Sequence, residues 1–257
     1  MIALPIMISS LNQVNAHSLK GKVLRFLLNR IPKNHVARVR GGVNKGHRWV
    51  VGTSIHRCWL GSYEADKQAL MKRMVKPGMV VWDIGANAGF YTLAMSRLTG
   101  ESGRVYSFEP LGSNIQNLNR HVQLNALKNT TVVQTALGGF NGLCNFDTGI
   151  SHQRGFLTKE QTNYMVPVMT ADEFLSTRPE AVPALLKIDV EGAESGMMEG
   201  ARKLLSEHHP ILVLALHGPE QVKKCYQILH EFGYKVAERT EDPAAFGEEI
   251  LALPQMA

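Results

Sequence analysis

Cysteine is scarce in this chain. Its three cysteines among 257 residues, Cys58, Cys144 and Cys225, lie far apart and form no Cys-x-x-Cys pair. That argues against a disulfide framework and a thiolate zinc site, and it predicts a reducing, cytoplasmic compartment. Long apolar runs are missing too, since no stretch reaches the eighteen or so residues of a membrane-spanning helix. The apolar opening, Ile2 to Ile8, contains Pro5 and no preceding basic residue, a poor match to a secretory leader. Neither Gly-x-Gly-x-x-Gly nor a phosphate loop with its Lys-Ser/Thr pair is present, which disfavours an NAD-dependent oxidoreductase and a nucleotide-triphosphate site.

Acidic residues are scarce only at the front. Met1 to Pro77 carry 14 Lys and Arg against 2 acids, whereas Gly78 to Ala257 carry 14 against 20. The net charge of +6 therefore conceals a basic head on an acidic body. Such a head is either a solvated face or a surface for nucleic acid, anionic lipid or an acidic substrate. It lacks interleaved aromatics and any recognisable RNA-binding module, so no nucleic-acid partner is expected. Residues 19–30 read as a short amphipathic helix, with Lys20, Lys22, Arg25 and Arg30 around Leu24, Leu27 and Leu28, stopped by Ile31-Pro32. The stripe is short and Met1-Ile2 is no myristoylation start. The head is thus expected to pack on the rest of the chain, with at most peripheral, salt-sensitive membrane contact.

What is present is a regular rhythm. Short β-like runs at 35–40 and 48–52 flank the Gly41-Gly42 turn, so residues 1–58 read as a basic extension of helix plus hairpin. A helix is expected at 63–75. Strands then follow at 79–84, 103–108, 130–135, 184–188, 210–216 and 234–237, with a closing strand at 249–253. Helices are expected at 90–98, 113–124, 172–176, 193–206 and 219–232. Residues 138–168 are polar and turn-rich, a hairpin and loop insertion. The pattern predicts an α/β fold for residues 59–257, a doubly wound, mostly parallel, seven-stranded Rossmann-like sheet. Ligands of such sheets bind beyond the carboxyl ends of the strands, at the switch in strand order.

The first strand runs into Asp83-Ile84-Gly85-Ala86-Asn87-Ala88-Gly89, and Glu109 ends the adjacent strand. A carboxylate there can accept two hydrogen bonds from a ribose diol. Asp83, either a cap for the turn or a second charge beside the cofactor, would repel a pyrophosphate and suit an ammonium. Together they read as an adenosine site that favours S-adenosylmethionine over NAD. Phe90 and Tyr91 open the next helix, as core packing first and cofactor contacts second.

The stretches Asp83 to Tyr91, Ser107 to Pro110, Asn114 with Asn119 and Asn125, Ala136 to Gly138 and above all Leu186 to Glu194 resemble the FkbM family of S-adenosylmethionine-dependent methyltransferases. Leu60 to Glu64, Gly200-Ala201 and Pro210 to Val213 continue the resemblance, which covers residues 60–217. It implies a class I methyltransferase fold and, usually, methylation of hydroxyls on sugars, glycolipids or polyketide-type products. It assigns cofactor contacts to Gly85, Ala86, Asn87, Gly89, Pro110, Asn114, Ala136, Leu137 and Asp189. Ala215 stands where family members often carry a glutamate, and the first 58 residues show no match.

Transfer to an alcohol needs in-line positioning and somewhere for the hydroxyl proton to go. Asp189 and Glu191 follow the strand at 184–188, and i, i+2 spacing in an extended segment would point both carboxylates one way. Their repulsion would raise one pKa towards that of a useful base. His217 closes the strand at 210–216, as a proton acceptor near neutral pH or a strand-end cap. Glu194 is read as a helix-dipole partner, and His152, beside Arg154, as a candidate for the acceptor pocket. Two carboxylates could hold Mg²⁺, but no third acid or Asn follows closely, so no metal site is expected. The expectation is an O-methyltransferase for a small-molecule or glycan acceptor. An RNA methyltransferase recruited by the head and a non-catalytic relative are the alternatives, and homo-oligomerisation stays open.

Overall fold

Buried strands organise the molecule. A computed structural model describes residues 26–147, 156–158, 160–162, 164–242 and 247–255. The strands β3 (Val80–Ile84), β4 (Arg104–Phe108) and β5 (Thr130–Val133) form one wing of a seven-stranded sheet, and β10 (Leu185–Ile188), β11 (Ile211–Leu216), β12 (Tyr234–Asp242) and β13 (Gly247–Pro254) form the other. The order is β12-β13-β11-β10-β3-β4-β5. Neighbours are parallel except around β13, which runs antiparallel to both β11 and β12. The strand order reverses between β3 and β10, so the switch point falls at the ends of these two strands.

Alternation along β3 shows why the sheet is covered on both faces. Val81 enters one core with Leu93, Val105, Leu185 and Val213, while Trp82 and Ile84 enter the other with Phe108, Leu186 and Leu214. The second core is closed by the helices α5 (Ala171–Thr177), α6 (Glu194–Glu199), α7 (Arg202–His208) and α8 (Pro219–Glu231), through Phe174, Met197, Leu204 and Ile228. The first is closed by α2 (Ala65–Met74) and α3 (Phe90–Thr99), and by a hairpin of β1 (Val36–Arg38) and β2 (Arg48–Val50). Val39, Trp49 and Val51 belong to that same core, and so do Cys58 and Trp59 on the short helix α1 (His56–Leu60). Residues on both sides of position 58 thus share one core. The helix α4 (Gly112–Leu124) buries Ile115, Leu118 and His121 at helical spacing.

Several expectations are corrected. The helix expected at 193–206 is two, α6 and α7, parted at Gly200 and Ala201. A Cβ on Gly200 would collide with the Gly138 carbonyl oxygen. The Asp172 N–H donates to Gly200 O, and the Asp172 carboxylate accepts from the Lys203 and Leu204 N–H groups in the first turn of α7. Helix α1 was not anticipated. The insertion builds a second sheet of β6 (Ala136–Leu137), β7 (Gly142–Asp147), β8 (Phe156–Thr158) and β9 (Met165–Met169), ordered β6-β9-β7-β8. Of the helix expected at 19–30, residues 26–28 are helical and 19–25 lie outside the described residues, as do His152 and Arg154. Among the described residues no helix is long and apolar enough to cross a membrane.

Candidate active site

A cavity of about 530 Å³ opens at the switch point. The turn after β3 forms one wall. Gly85, at φ 76°, must be glycine because a Cβ there would collide with the Asp189 carbonyl oxygen. Glu109 faces this turn from the end of β4 and is almost fully buried. Its Oε2 accepts the Asn87 N–H at 2.8 Å, and its Oε1 accepts the Leu111 N–H at 3.0 Å and the Asn114 amide at 3.2 Å. Burial raises the carboxyl above its ordinary pKa, against the pull of these three donors and Lys187. A carboxylate has about four lone-pair sites, so capacity for one further donor remains, on Oε2. Ala86, Asn87, Phe90, Tyr91, Pro110, Asn114, Ala136 and Leu137 also reach the cavity wall.

Asp83 does not reach it, contrary to the sequence reading. It is fully buried beneath the turn, where Oδ2 accepts from Thr92 Oγ1 at 2.7 Å and Oδ1 lies 3.3 Å from Lys187 Nζ. Lys187 sits opposite Asp83 in the β10–β3 register. Gly89 likewise lies behind the wall, against Leu118. Both support the turn from behind.

At the far end of the cavity the charges concentrate. Asp189 follows β10 and divides its oxygens: Oδ2 lies 3.7 Å from Lys187 Nζ and 3.9 Å from Lys67 Nζ, and Oδ1 faces His217 Nε2 at 3.8 Å. Lys67, buried on α2, also pairs with Glu64 at 2.9 Å and with Glu249 of β13. Tyr91 donates its hydroxyl to Glu64 at 2.8 Å, and both ammonium groups lie over its ring. Glu191 does not continue an extended segment. It stands at φ 50°, and this left-handed turn brings its Oε2 to 3.6 Å from His217 Nε2. The other ring nitrogen, Nδ1, is bonded to Glu194 Oε1 at 2.7 Å, and Glu194 also accepts the Gly192 N–H.

The expected raising of a carboxylate pKa fails at Asp189. Burial acts in that direction, but Lys187, Lys67 and His217 outweigh it and hold the group below the usual carboxylate value. At His217 burial disfavours the charged ring, and Glu194, then Asp189 and Glu191, outweigh it and raise the pKa. The fold brings Asp189, Glu191 and His217 together, and it adds Glu194, Lys187, Lys67, Glu64 and Glu249. A charge inside the otherwise apolar run Leu185 to Ile188, matching the one inside Val80 to Ile84, is a readable signal for Lys187. Nothing local marks Lys67 or Glu249, which arrive from α2 and from the antiparallel strand β13.

The glycine turn, the buried acid at the next strand end and the reversed strand β13 define a methyltransferase that uses S-adenosylmethionine. The residues fit that cofactor: Glu109 stands on the cavity wall beside the turn from Gly85 to Asn87 and retains an acceptor position on Oε2. The chain belongs to the FkbM methyltransferase family, whose model for the methyltransferase FkbM domain matches residues 83–236. Among solved structures it is similar to methyltransferase FkbM from Methylobacillus flagellatus KT, at 17% identity and a TM-score of 0.52, over 78% of this chain and 55% of that one. It is also similar to a precorrin-6y C5,15-methyltransferase from Geobacter metallireducens GS-15, at 16% identity and a TM-score of 0.51, over 75% and 90%. At these identities the likenesses concern the fold. No curated protein sequence matches the chain.

Proposed function

We propose that the protein methylates a hydroxyl of an uncharged small-molecule or glycan acceptor: a sugar, a glycolipid headgroup or a secondary metabolite. The observation that carries this reading is the cluster of Asp189, Glu191 and His217 on the cofactor cavity. Beyond an activated methyl, an alcohol acceptor needs a place for its proton, and this cluster supplies one. Glu109 Oε2 would take a ribose hydroxyl, and the turn from Gly85 to Asn87, on the same cavity wall, would help hold the cofactor. Bound there, S-adenosylmethionine supplies a methyl whose carbon–sulfur bond breaks as the acceptor oxygen bonds to carbon, leaving the electron pair on sulfur and releasing the hydroxyl proton.

Lys187 and Lys67 keep Asp189 ionised beside that reaction, and Glu194 fixes the His217 ring. Glu64, Glu109, Asp189 and Glu249 share the cavity wall with Lys67 and Lys187, and the acidic balance disfavours phosphate-bearing acceptors, including RNA. Three free cysteines support a cytoplasmic site of action. A screen with labelled methyl donor against neutral glycans, glycolipids, phosphorylated sugars and RNA tests the reading. Label should enter neutral hydroxyl acceptors, and Asp189→Asn should lower turnover by about 10²–10⁴-fold with cofactor affinity little changed. Label confined to RNA or phosphorylated sugars would refute it.

A further inference from the structure

We propose that Asp189, Glu191 and His217 form the protein side of a divalent-cation site that takes Mn²⁺. The site's existence stands apart from the methyl-transfer reading; only its use rests on that reading.

The spacing is the first argument. His217 Nε2 stands 3.8 Å from Asp189 Oδ1 and 3.6 Å from Glu191 Oε2, and the three ligand atoms lie within 4.8 Å of one another. Those gaps are too long for hydrogen bonds. Donor atoms that share one cation through bonds of about 2.0–2.2 Å stand roughly 3–4 Å apart. The other face of the same ring gives the contrast, because Nδ1 closes on Glu194 to 2.7 Å. A proton on Nε2 reaches neither carboxylate at bonding distance, whereas a cation between the three atoms would lie within bonding reach of each.

The orientation is the second. Glu194 is fully buried and also anchored by the Gly192 N–H. It pairs with Nδ1 of His217, so in the ring's neutral form with the proton on Nδ1 the Nε2 lone pair faces the two carboxylates. A carboxylate behind a histidine is the arrangement that fixes the tautomer of a metal ligand.

Charge is the third. The nearby lysines approach Oδ2 of Asp189 and leave Oδ1 to the histidine side. Among the described residues four carboxylates, Asp83, Asp189, Glu64 and Glu249, surround the Lys67 and Lys187 ammonium groups, so negative charge outnumbers positive there. The two carboxylates suit Mn²⁺, and the imidazole sets the cluster apart from the all-oxygen sites typical of Mg²⁺ and Ca²⁺. Three protein ligands leave positions open to the cavity, where a bound acceptor hydroxyl would lose its proton more readily. The third ligand comes from the end of β11, which is why the spacing after β10 alone gives no metal site.

Mn²⁺ uptake is measured by electron paramagnetic resonance on the full chain, without S-adenosylmethionine or acceptor, so its failure is separable from failure of methyl transfer. The parent should bind one equivalent. Asp189→Asn and His217→Gln should each weaken uptake at least tenfold, and Glu194→Gln by about 10–100-fold. Glu220→Gln, exposed on α8, should leave it unchanged. Should a buried-site variant fail to fold, Glu191→Gln, on a more exposed turn, carries the same expectation. A parent that takes up no Mn²⁺ at about 1 mM, weak for a protein divalent-cation site, would overturn the proposal. So would Asp189, Glu191 and His217 variants that bind as the parent does.

Discussion

Single side chains carry two separable tasks here, holding the cofactor and holding the charge behind it. Glu109 is proposed for the first. If its Oε2 holds the ribose, Glu109→Ala should weaken S-adenosylmethionine binding by about 1.5–3 kcal/mol in calorimetric titration. Parent-like affinity in a folded variant would remove the ribose assignment. Lys187 belongs to the second. Lys187→Met strands Asp83, fully buried and 3.3 Å from the ammonium it loses, so urea unfolding should show a loss of about 3–5 kcal/mol. Adding Asp83→Leu should recover much of it, because the cost lies in the unpaired charge. This pair was visible in the sequence as one charge in each of two apolar runs. Its consequence for Asp189 was not, because Lys67 joins it from α2, far away in the chain.

Elements were legible where burial is periodic. The apolar runs of β3, β10 and β11 and the spacing of α4 and α8 depend only on neighbouring residues. The break between α6 and α7 depends on a contact with Gly138, sixty-two residues earlier, so local propensity could only continue the helix. Two glycines on this segment test that reading. Gly200→Ala puts a methyl into the Gly138 carbonyl oxygen, and it should destabilise by about 1–3 kcal/mol despite the better helix propensity of alanine. Gly196, inside α6, has only Gly139 N near, 3.9 Å from where its Cβ would stand. Gly196→Ala should instead stabilise by about 0.4–1 kcal/mol. Thermal or urea unfolding of the two variants should therefore move in opposite directions. Shifts of the same sign would mean that propensity, not the Gly138 contact, decides the break. The pairing of Glu194 with His217 is non-local in the same way, since it needs the first turn of α6 to meet the end of β11.

At the scale of the molecule, the hairpin ahead of the sheet is tied to the cofactor turn through one histidine. Val50 donates its N–H to His121 Nε2 at 2.9 Å, and His121 Nδ1 donates to Ala88 O at 2.7 Å. Trp49 stacks on the ring at 3.9 Å, and Asn125 exchanges hydrogen bonds with the Arg48 backbone. The ring accepts on one nitrogen and donates on the other, so it must be neutral. Burial, then Arg120, pushes its pKa down to about 4. Unfolded, it titrates near 6.5. A group depressed in this way contributes stability that is fully present above the unfolded value and is lost as pH falls towards the folded one. Between pH 7 and pH 5 the loss is about 2 kcal/mol. His217, raised rather than lowered, acts in the opposite sense over that window, so the parent curve alone does not isolate His121. Comparison with His121→Gln does, because glutamine keeps a donor and an acceptor without a titrating ring. Urea unfolding at both pH values should show the parent losing about 2 kcal/mol more than the variant, and identical pH dependence would rule out the histidine link. Since the ring also holds the Ala88 carbonyl, acid should loosen the turn between Gly85 and Gly89 together with the hairpin. The folded ring takes up a proton only as pH approaches 4, so S-adenosylmethionine affinity should hold between pH 7 and pH 5, fall below that in the parent, and stay flatter in the variant.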